Sequence, residues 1–452
     1  MSKQFISANR QQAYLLPPSL DEWLPQKHLS RFILEIVEQL DLTGIYKEYQ
    51  GQGGKRAYRP EVLLSLLFYG YATGTFSSRK IEAATYDSIA FRFISANTHP
   101  DHDTIANFRQ RFLVEIEELF VDVLLIAKDM KMLQLGKVSL DGTKLKANAS
   151  KSKALSYAHI QRLEEQLRQE VQTLLQRAEE VDELERDEEI DIPAELERRE
   201  DRLEAIKEAK RKIEQRAKER LDTEKEKHDK KMQQRHVKEK KSGKKLRGPT
   251  PALPTLEIKG TDQVNLTDAE SRIMLVSTGG FQQSYNAQAS VEHDSRLIVH
   301  QHLTQHAVDK QEIVPTLQFF DEHTDLKPKV LLADAGYMSE ANVEACDQAN
   351  ITPYISLRKE RHNQTLQERF RPADPLPENP TALEKMRHRL QTKEGKAIYA
   401  LRKSTVETVF GIIKHVIGFR QLLLRGYKKT KGEWSLVCLA YNLKRMHTLS
   451  AL

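Results

Sequence analysis

Apolar residues recur every three or four positions in the first part of the chain, over residues 22–132. This spacing places apolar side chains on one face of an α-helix. It therefore predicts an all-helical N-terminal domain over residues 1–132. The pattern is clearest in two runs: Phe32, Ile33, Ile36, Val37 and Leu40, then Val62, Leu63, Leu66, Leu67 and Tyr71.

A different pattern begins after Gly136. Val138 and Leu140 alternate with polar residues and lead into Asp141 and Gly142. That is typical of a β-strand that ends in a turn. We therefore place the first strand of a second domain within residues 133–154.

Helical spacing returns over residues 157–236, and Pro193 interrupts it, so the pattern predicts a helical hairpin inserted at residues 155–250. Its second arm runs into a lysine-rich segment, residues 225–245, which we interpret as a solvated, disordered tail, with DNA contact as the second interpretation. The apolar positions of the hairpin are Ile160, Leu163, Leu167, Val171, Leu174, Ala178, Val181, Leu196, Leu203, Ile206, Ile213 and Leu221.

Residues 251–452 are predicted to complete the second domain. With the hairpin set aside, the order is three strands, a helix, a strand, a helix, a strand and a late helix, which is the order of the ribonuclease-H fold. The sequence thus predicts an α/β protein with a ribonuclease-H-like mixed-sheet core, an all-helical N-terminal domain and an inserted helical hairpin. The predicted strands are 272–277, 285–291, 296–304, 330–333 and 352–357; the predicted helices are 309–320, one capped by Ser339, and 399–417.

Composition narrows the class of protein. The chain has 452 residues, 30% of them charged, and no apolar run long enough to span a bilayer. Its N-terminus does not read as a secretory signal, so we expect a cytoplasmic, nucleoid-associated protein without a membrane partner. Cys346 and Cys438 each lie in an apolar context typical of core packing. The net charge of +6 favours a polyanionic partner, although a modest positive balance is common in soluble proteins.

Basic residues lie between the N-terminal helical runs, among them Arg79, Lys80 and Arg109. Short helices joined by polar turns, with arginine near their starts, suit a helix-turn-helix-like DNA-binding domain. A helical bundle with a solvated basic face explains the same residues equally well.

Three carboxylates are candidates for chemistry. Asp141 closes the first predicted strand and Asp334 closes a later one, so a mixed sheet would bring the two side by side. Glu407 lies on the late helix, beside the apolar face. Each aspartate alone would be an ordinary turn residue; the combination favours a metal site. The apolar face of that helix consists of Val406, Val409, Phe410, Ile413 and Ile417.

Cations accompany Glu407. At about 100° per residue, Lys414 lies near the direction of Glu407, Lys403 and Tyr399 come next, and Arg402 points elsewhere. A carboxylate flanked by cations suits a metal site that also holds DNA phosphates. The alternative is an ordinary salt bridge between Lys403 and Glu407 on a solvated helix.

Oxygen-only ligation indicates Mg²⁺, or Mn²⁺ in its place, rather than zinc. Cleavage of a phosphodiester by two such ions needs carboxylates on fixed elements, because the ions lie roughly 3.5 to 4 Å apart and contact both the attacking and the leaving oxygen. Two aspartates and a glutamate meet that need.

These segments resemble the three catalytic blocks of DDE insertion-sequence transposases. The matching stretches are Ser139–Lys144, Ala333–Tyr337, and Tyr399 with Arg402, Glu407 and Lys414. The resemblance covers nearly the whole chain and is greatest to the bacterial branch with a helical N-terminal domain. That branch shares stretches such as Arg79-Lys80-Ile81-Glu82 and Asp103-Thr104-Ile105 with Phe108-Arg109.

The resemblance implies that Asp141, Asp334 and Glu407 bind the catalytic metal. In related transposases the block around the glutamate has the pattern Y-x2-R-x3-E-x6-K. Here Lys414 has the expected spacing from Glu407, whereas Arg402 is one residue farther from Glu407 than the pattern requires. Either Arg402 or Lys403 would take the arginine's role, and this block, Tyr399 included, would contact the transferred strand.

The implied activity is transposition: binding of terminal inverted repeats in double-stranded DNA, metal-dependent cutting of the ends, and joining of the 3′-hydroxyl to target DNA by at least a homodimer. The alternatives are an inactive, transposase-derived DNA-binding protein or repressor, and a nuclease of RNA–DNA hybrids. The hairpin would serve as a dimer or end-pairing contact, which its long apolar stripe favours, or as a DNA-binding arm. Trp434 would stack on a flipped base or, more simply, belong to the core.

Overall fold

The computed structural model describes residues 19–49, 57–184, 192–242, 248–276, 279–357 and 375–451. These residues form two compact units. The first comprises the described parts of Met1–Leu145, Asn286–Leu422 and Lys428–Leu452, and the second comprises those of Lys146–Tyr285 and Leu423–Tyr427. No helix among the described residues has the length and apolar character needed to cross a membrane.

The N-terminal part of the first unit is all-helical, as predicted. Its local signals are those expected of helix starts: Pro60 opens α4, and the Asp101 side chain accepts a hydrogen bond from the Thr104 amide at the start of α7. The helices are α1 (Leu20–Trp23), α2 (Leu29–Val37), α3 (Thr43–Lys47), α4 (Pro60–Ala72), α5 (Ser78–Asp87), α6 (Ile89–Ile94), α7 (His102–Arg111) and α8 (Leu113–Asp129).

A mixed sheet forms the second part of this unit. Strand β1 pairs in parallel with β7, β7 pairs in parallel with β8, and β5 pairs antiparallel with β6. The order β6-β5-β1-β7-β8 confirms the predicted ribonuclease-H-like core. The strands are β1 (Lys137–Lys146), β5 (Phe281–Glu292), β6 (Ile298–Thr304), β7 (Val330–Ala333) and β8 (Thr352–Ile355). The other strands of the described residues are β2 (Ala154–Ser156), β3 (Gln263–Asn265) and β4 (Arg272–Leu275).

Strand β1 is longer than predicted. It continues through Asp141 and Gly142 to Lys146, so the predicted turn at these two residues is wrong. The reason is visible in the burial: Leu145 is completely buried, and its packing holds the chain extended. Asp141 consequently projects from the middle of a strand.

The helices of the C-terminal part pack on the sheet. Ser339 caps α12 by accepting a hydrogen bond from the Asn342 amide, as predicted. Both cysteines are free and buried, which confirms core packing. The helices are α11 (Ile313–Glu322), α12 (Glu340–Gln348), α13 (Ala382–Gln391), α14 (Lys393–Gly411), continued by a π-helical turn at Ile412–Val416, and α15 (Tyr427–Ser450).

The second unit contains the helical hairpin, α9 (Tyr157–Leu184) and α10 (Ile192–Ser242). Four apolar residues of its two helices, Ile160, Leu167, Ile206 and Ile213, are at most 2% exposed and belong to one core cluster. The Lys210 ammonium of α10 forms a salt bridge with the Glu164 carboxylate of α9, at a distance of 2.8 Å. The expectation of a disordered lysine-rich tail is wrong up to Ser242, because α10 extends that far; residues 243–247 lie outside the described residues.

Candidate active site

Asp141 and Asp334 lie at the same level of the sheet. The parallel register pairs Ser139 with Leu332, and continuing it by two residues sets Asp141 opposite Asp334. Neighbouring strands are about 4.8 Å apart. The sheet therefore brings these two predicted carboxylates together, Asp141 within β1 and Asp334 directly after β7.

Asp141 lies in an acidic, desolvated environment. Its Oδ1 accepts a hydrogen bond from the Gly142 amide at 2.8 Å. Burial raises the pKa of Asp141 to about 7, and the charges of Asp334 and Asp309 act in the same direction, whereas the Gly142 amide and the Arg402 guanidinium oppose them. Clustered carboxylates of this kind are stabilised by a nearby cation.

Arg402 supplies such a charge. Its guanidinium is 3.5 Å from the Asp141 carboxylate and 3.6 Å from the Glu407 carboxylate. Burial acts to lower the pKa of Arg402, but Tyr399 and the carboxylates raise it on balance. Arg402 therefore lies between Asp141 and Glu407, and the predicted direction of its side chain, away from Glu407, is wrong. The helical angle describes where a side chain starts, while the long arginine reaches around the helix.

Glu407 stands apart from the two aspartates. Its side chain is 53% exposed and faces Arg402. Within the described ranges, no three histidine, cysteine or acidic side chains converge tightly enough to hold a metal ion. The structure thus joins Glu407 to Asp141 through the arginine.

The other residues predicted around Glu407 are Lys414, Tyr399 and Lys403, and their contacts differ. The Lys414 ammonium donates to the Thr143 hydroxyl at 2.5 Å and to the Lys144 carbonyl at 3.2 Å, so it contacts the end of β1 rather than Glu407. The π-helical turn that contains Lys414 changes its direction from that of a regular helix. The Arg402 guanidinium lies 6.0 Å from the Tyr399 ring, and Lys403 is exposed.

The three N-terminal cations differ in exposure. Arg79 and Lys80 are exposed in the first turn of α5. Arg109 is only 6% exposed, and its guanidinium donates to the Tyr71 hydroxyl at 2.9 Å and to the Phe76 carbonyl at 3.2 Å. Arg109 is therefore buried, with its guanidinium hydrogen-bonded inside the N-terminal helices.

Sequence reasoning missed several polar residues that adjoin the aspartates. Asp309 accepts hydrogen bonds from the amides of Asn286 and Gln288 at 2.7 and 2.8 Å, and the Lys144 ammonium lies 3.5 Å away. A signal did exist: Asn286 and Gln288 alternate with apolar residues in a strand whose two faces are both buried. Buried amides require partners, so their spacing indicated a polar network.

Trp434 belongs to the core. It is completely buried, and its indole N–H donates to the Gln288 carbonyl at 3.2 Å. The simpler of the two interpretations of this tryptophan is the one that agrees with its position.

Two family models match the chain. The Transposase domain (DUF772) matches residues 18–111, and the Transposase DDE domain matches residues 344–447, which include Arg402, Glu407 and Lys414. No curated protein and no solved structure matches the chain. The two domain matches agree with the mixed sheet and with the two aspartates of its adjacent strand segments, and the chain is a DDE transposase of the insertion-sequence type.

Proposed function

We propose that this transposase binds the terminal inverted repeats of its element, cuts the ends by metal-dependent hydrolysis and joins the freed 3′-hydroxyl to target DNA. The observation that carries the proposal is the placement of Asp141 level with Asp334 on adjacent strands, with Glu407 linked to Asp141 through Arg402. An inactive DNA-binding protein would not need this acidic centre.

The side chains available for a metal fit Mg²⁺ or Mn²⁺. Asp141, Asp334 and Glu407 offer only carboxylate oxygens, the donors that these hard cations prefer. Burial and the neighbouring carboxylates disfavour the ionised form of Asp141, and a divalent cation bound there would favour it. When bound, such ions supply Lewis-acid activation of water and of the 3′-hydroxyl.

The cations of the site have a role toward DNA. A guanidinium binds phosphate as readily as carboxylate, so Arg402 would exchange its carboxylate partners for a phosphate of the bound end. That exchange leaves Glu407 available as the third ligand. Lys414 holds the end of β1, and the exposed Lys403, with Tyr399 nearby, would contact the transferred strand.

Binding of DNA would draw on further exposed cations. Arg79 and Lys80 would contact the backbone of the terminal repeats, with an affinity that falls steeply as salt rises. Pairing of two element ends requires two active sites, which favours a homodimer on DNA. Of the two roles considered for the hairpin, we favour the DNA-binding arm, because four of its apolar residues, Ile160, Leu167, Ile206 and Ile213, are buried in a core cluster of the hairpin's own unit.

The test is cleavage of DNA that carries the element's own terminal repeats, with Mg²⁺ or with EDTA, mapped at nucleotide resolution. Cutting at the element boundary should require Mg²⁺ and disappear in Asp141→Asn and in Glu407→Gln, while both variants still bind the ends. The matched control is Asp347→Asn, which changes an exposed aspartate of α12 and should cut like the parent protein.

Other outcomes separate the alternatives. Full cutting by Asp141→Asn would refute the assignment of the site. Binding without cutting under either metal would favour the inactive DNA-binding protein. Preferential cutting of an RNA–DNA hybrid would favour the nuclease of hybrids.

A further inference from the structure

Gln288 lies at the centre of a hydrogen-bond network behind the two aspartates. Its amide N–H donates to Asp309 at 2.8 Å, and its amide oxygen accepts from the Tyr337 hydroxyl at 2.5 Å. Both Gln288 and Tyr337 are completely buried. Since the Asp309 carboxylate only accepts, it determines the orientation of this amide, and the Tyr337 phenol then donates to the amide oxygen.

The network joins the two segments that carry Asp141 and Asp334. Tyr337 ends the short 3-10 turn that follows Asp334. Asp309 and Gln288 pack so closely on Gly142 that a Cβ there would lie 2.7 and 2.2 Å from their polar atoms. One buried amide thus contacts the neighbour of the first aspartate and, through Tyr337, the turn of the second.

Other contacts hold Asp309 and its turn in place. Asn286 donates to the same carboxylate oxygen of Asp309 as Gln288 does. The Asn342 side chain donates to the Lys310 carbonyl at 2.8 Å and to the Tyr337 carbonyl at 2.7 Å, which ties the Asp309 turn to the Asp334 turn. Glu312 directly follows the 3-10 turn that Asp309 begins, and its carboxylate accepts hydrogen bonds from the rings of His302 and His306 at 2.7 and 2.8 Å.

We propose that Gln288 and Asp309 are positioning residues that set the spacing of Asp141 and Asp334, and that Asp309 is an anchor of this centre rather than a metal ligand. Oδ1 of Asp309 already faces two amide donors and the Lys144 ammonium. Oδ1 would have to give up these donors in order to bind a metal ion. The inference rests on the proposed metal-dependent function and adds to it the residues that pre-organise the site.

The first test replaces Gln288 by methionine, which keeps the shape of the side chain and removes both hydrogen bonds. Gln301 is the matched control, because it is buried in the neighbouring strand and its amide oxygen has no hydrogen-bond partner among the described residues. Mn²⁺ binding to the full chain, followed by electron paramagnetic resonance, should weaken about 10- to 100-fold in Gln288→Met, a typical effect of losing a residue that orients ligands. In Gln301→Met the affinity should stay within about twofold of the parent's.

Hydrogen exchange measured without metal gives an independent readout. The amides of Gly336 and Tyr337 should exchange faster in Gln288→Met than in Gln301→Met. If the parent protein shows no Asp141-dependent Mn²⁺ binding, the proposed function fails, while the exchange rates still decide whether Gln288 positions the turn. Parent-like exchange together with parent-like Mn²⁺ affinity in Gln288→Met would overturn the inference.

Asp309→Asn distinguishes an anchor from a ligand. Asparagine keeps a carbonyl oxygen that accepts from Gln288 and Asn286, so Mn²⁺ affinity should remain much closer to that of the parent than to that of Asp141→Asn. An equally complete loss in Asp309→Asn and Asp141→Asn would make Asp309 a ligand and overturn this part of the inference.

Discussion

Gly142 shows how tightly the residues around Asp141 are packed. An added Cβ would lie 2.2 Å from the Gln288 amide nitrogen, 2.7 Å from an Asp309 oxygen and 2.9 Å from an Asn286 oxygen. These side chains are held by hydrogen bonds to one another and to Tyr337, so none can move without breaking a bond. Glycine is needed here for close approach.

Gly142→Ala should therefore impair the active site. We expect a loss of roughly 1–3 kcal/mol in the free energy of unfolding, typical of overpacking, and at least about a tenfold drop in the rate of end cleavage. Gly136→Ala is the matched control, since a Cβ at Gly136 meets no atom within 4 Å. Chemical denaturation and cleavage kinetics measure both effects. Cleavage by Gly142→Ala at the rate of the parent protein would show that the side chains around Gly142 can move to admit a Cβ, and would contradict this prediction.

At this scale the sequence predicts residues that follow a recognisable pattern. Asp141 and Asp334 come directly after apolar strand residues, so their position side by side on the sheet was predictable, whereas the continuation of β1 beyond Asp141 was not. Asp309 opens a short 3-10 turn and contacts the distant residues Gln288 and Asn286, and no local sequence pattern predicts those contacts. The contacts of Arg402 were also not predictable, because helical spacing gives the direction in which a side chain leaves the helix and not the rotamer of a long side chain.

Helix α10 is the element that differs most from expectation. Its first half packs against α9, and its last part, beyond Leu221, is rich in exposed lysines while remaining helical. Contacts with the following segment support this end: Arg235 donates to the Gly248 and Pro249 carbonyls, and the His228 ring lies 3.3 Å from the Pro251 carbonyl. An ordered basic helix presents its charges to DNA at lower entropic cost than a disordered tail.

We predict that this end of α10 binds DNA phosphates. Lys230 and Lys231 are both exposed, and their joint change to glutamine should lower the slope of log affinity against log salt by about 0.9 for each phosphate that the variant no longer neutralises. The control is Arg198→Gln with Arg202→Gln, which removes two exposed charges near the start of the same helix. Titration of labelled terminal-repeat DNA at several salt concentrations gives the slopes. Equal slopes in the two variants would refute a special role for the lysine-rich end.

Elements were predictable where one face meets water and the other meets the core. That holds for α2, α11 and the hairpin, whose apolar spacing is clear. The sequence predicts 399–417 as the last long helix and does not predict α15, because α15 is buried on nearly all sides and its sequence shows no one-sided stripe. Helix α13 was missed for the opposite reason, since Met386 is its only buried residue.

A buried chain of polar contacts connects the N-terminal helices to the C-terminal helix α15. The Arg109 guanidinium donates to the Tyr71 hydroxyl at 2.9 Å, and that hydroxyl lies 3.3 Å from the Glu433 carboxylate in α15. Burial and the Glu433 charge raise the pKa of Tyr71. Both family matches fall almost entirely within this first unit, so a DNA-binding surface on α5 would belong to the same compact body as the acidic centre.

Substitution of Arg109 should consequently lower stability, whereas substitution of Arg79 should weaken DNA binding. Arg109→Met removes the buried donor to the Tyr71 hydroxyl and the Phe76 carbonyl, and loss of such a buried hydrogen-bonding partner lowers the free energy of unfolding by about 1–3 kcal/mol. Arg79→Met removes an exposed charge, so the unfolding midpoint should hold while end-binding weakens and its salt slope falls by about 1. Thermal unfolding and DNA titration of both variants measure the contrast. If Arg109→Met unfolds like the parent protein and loses DNA affinity instead, Arg109 is a DNA contact, and the N-terminal helices must open to expose it.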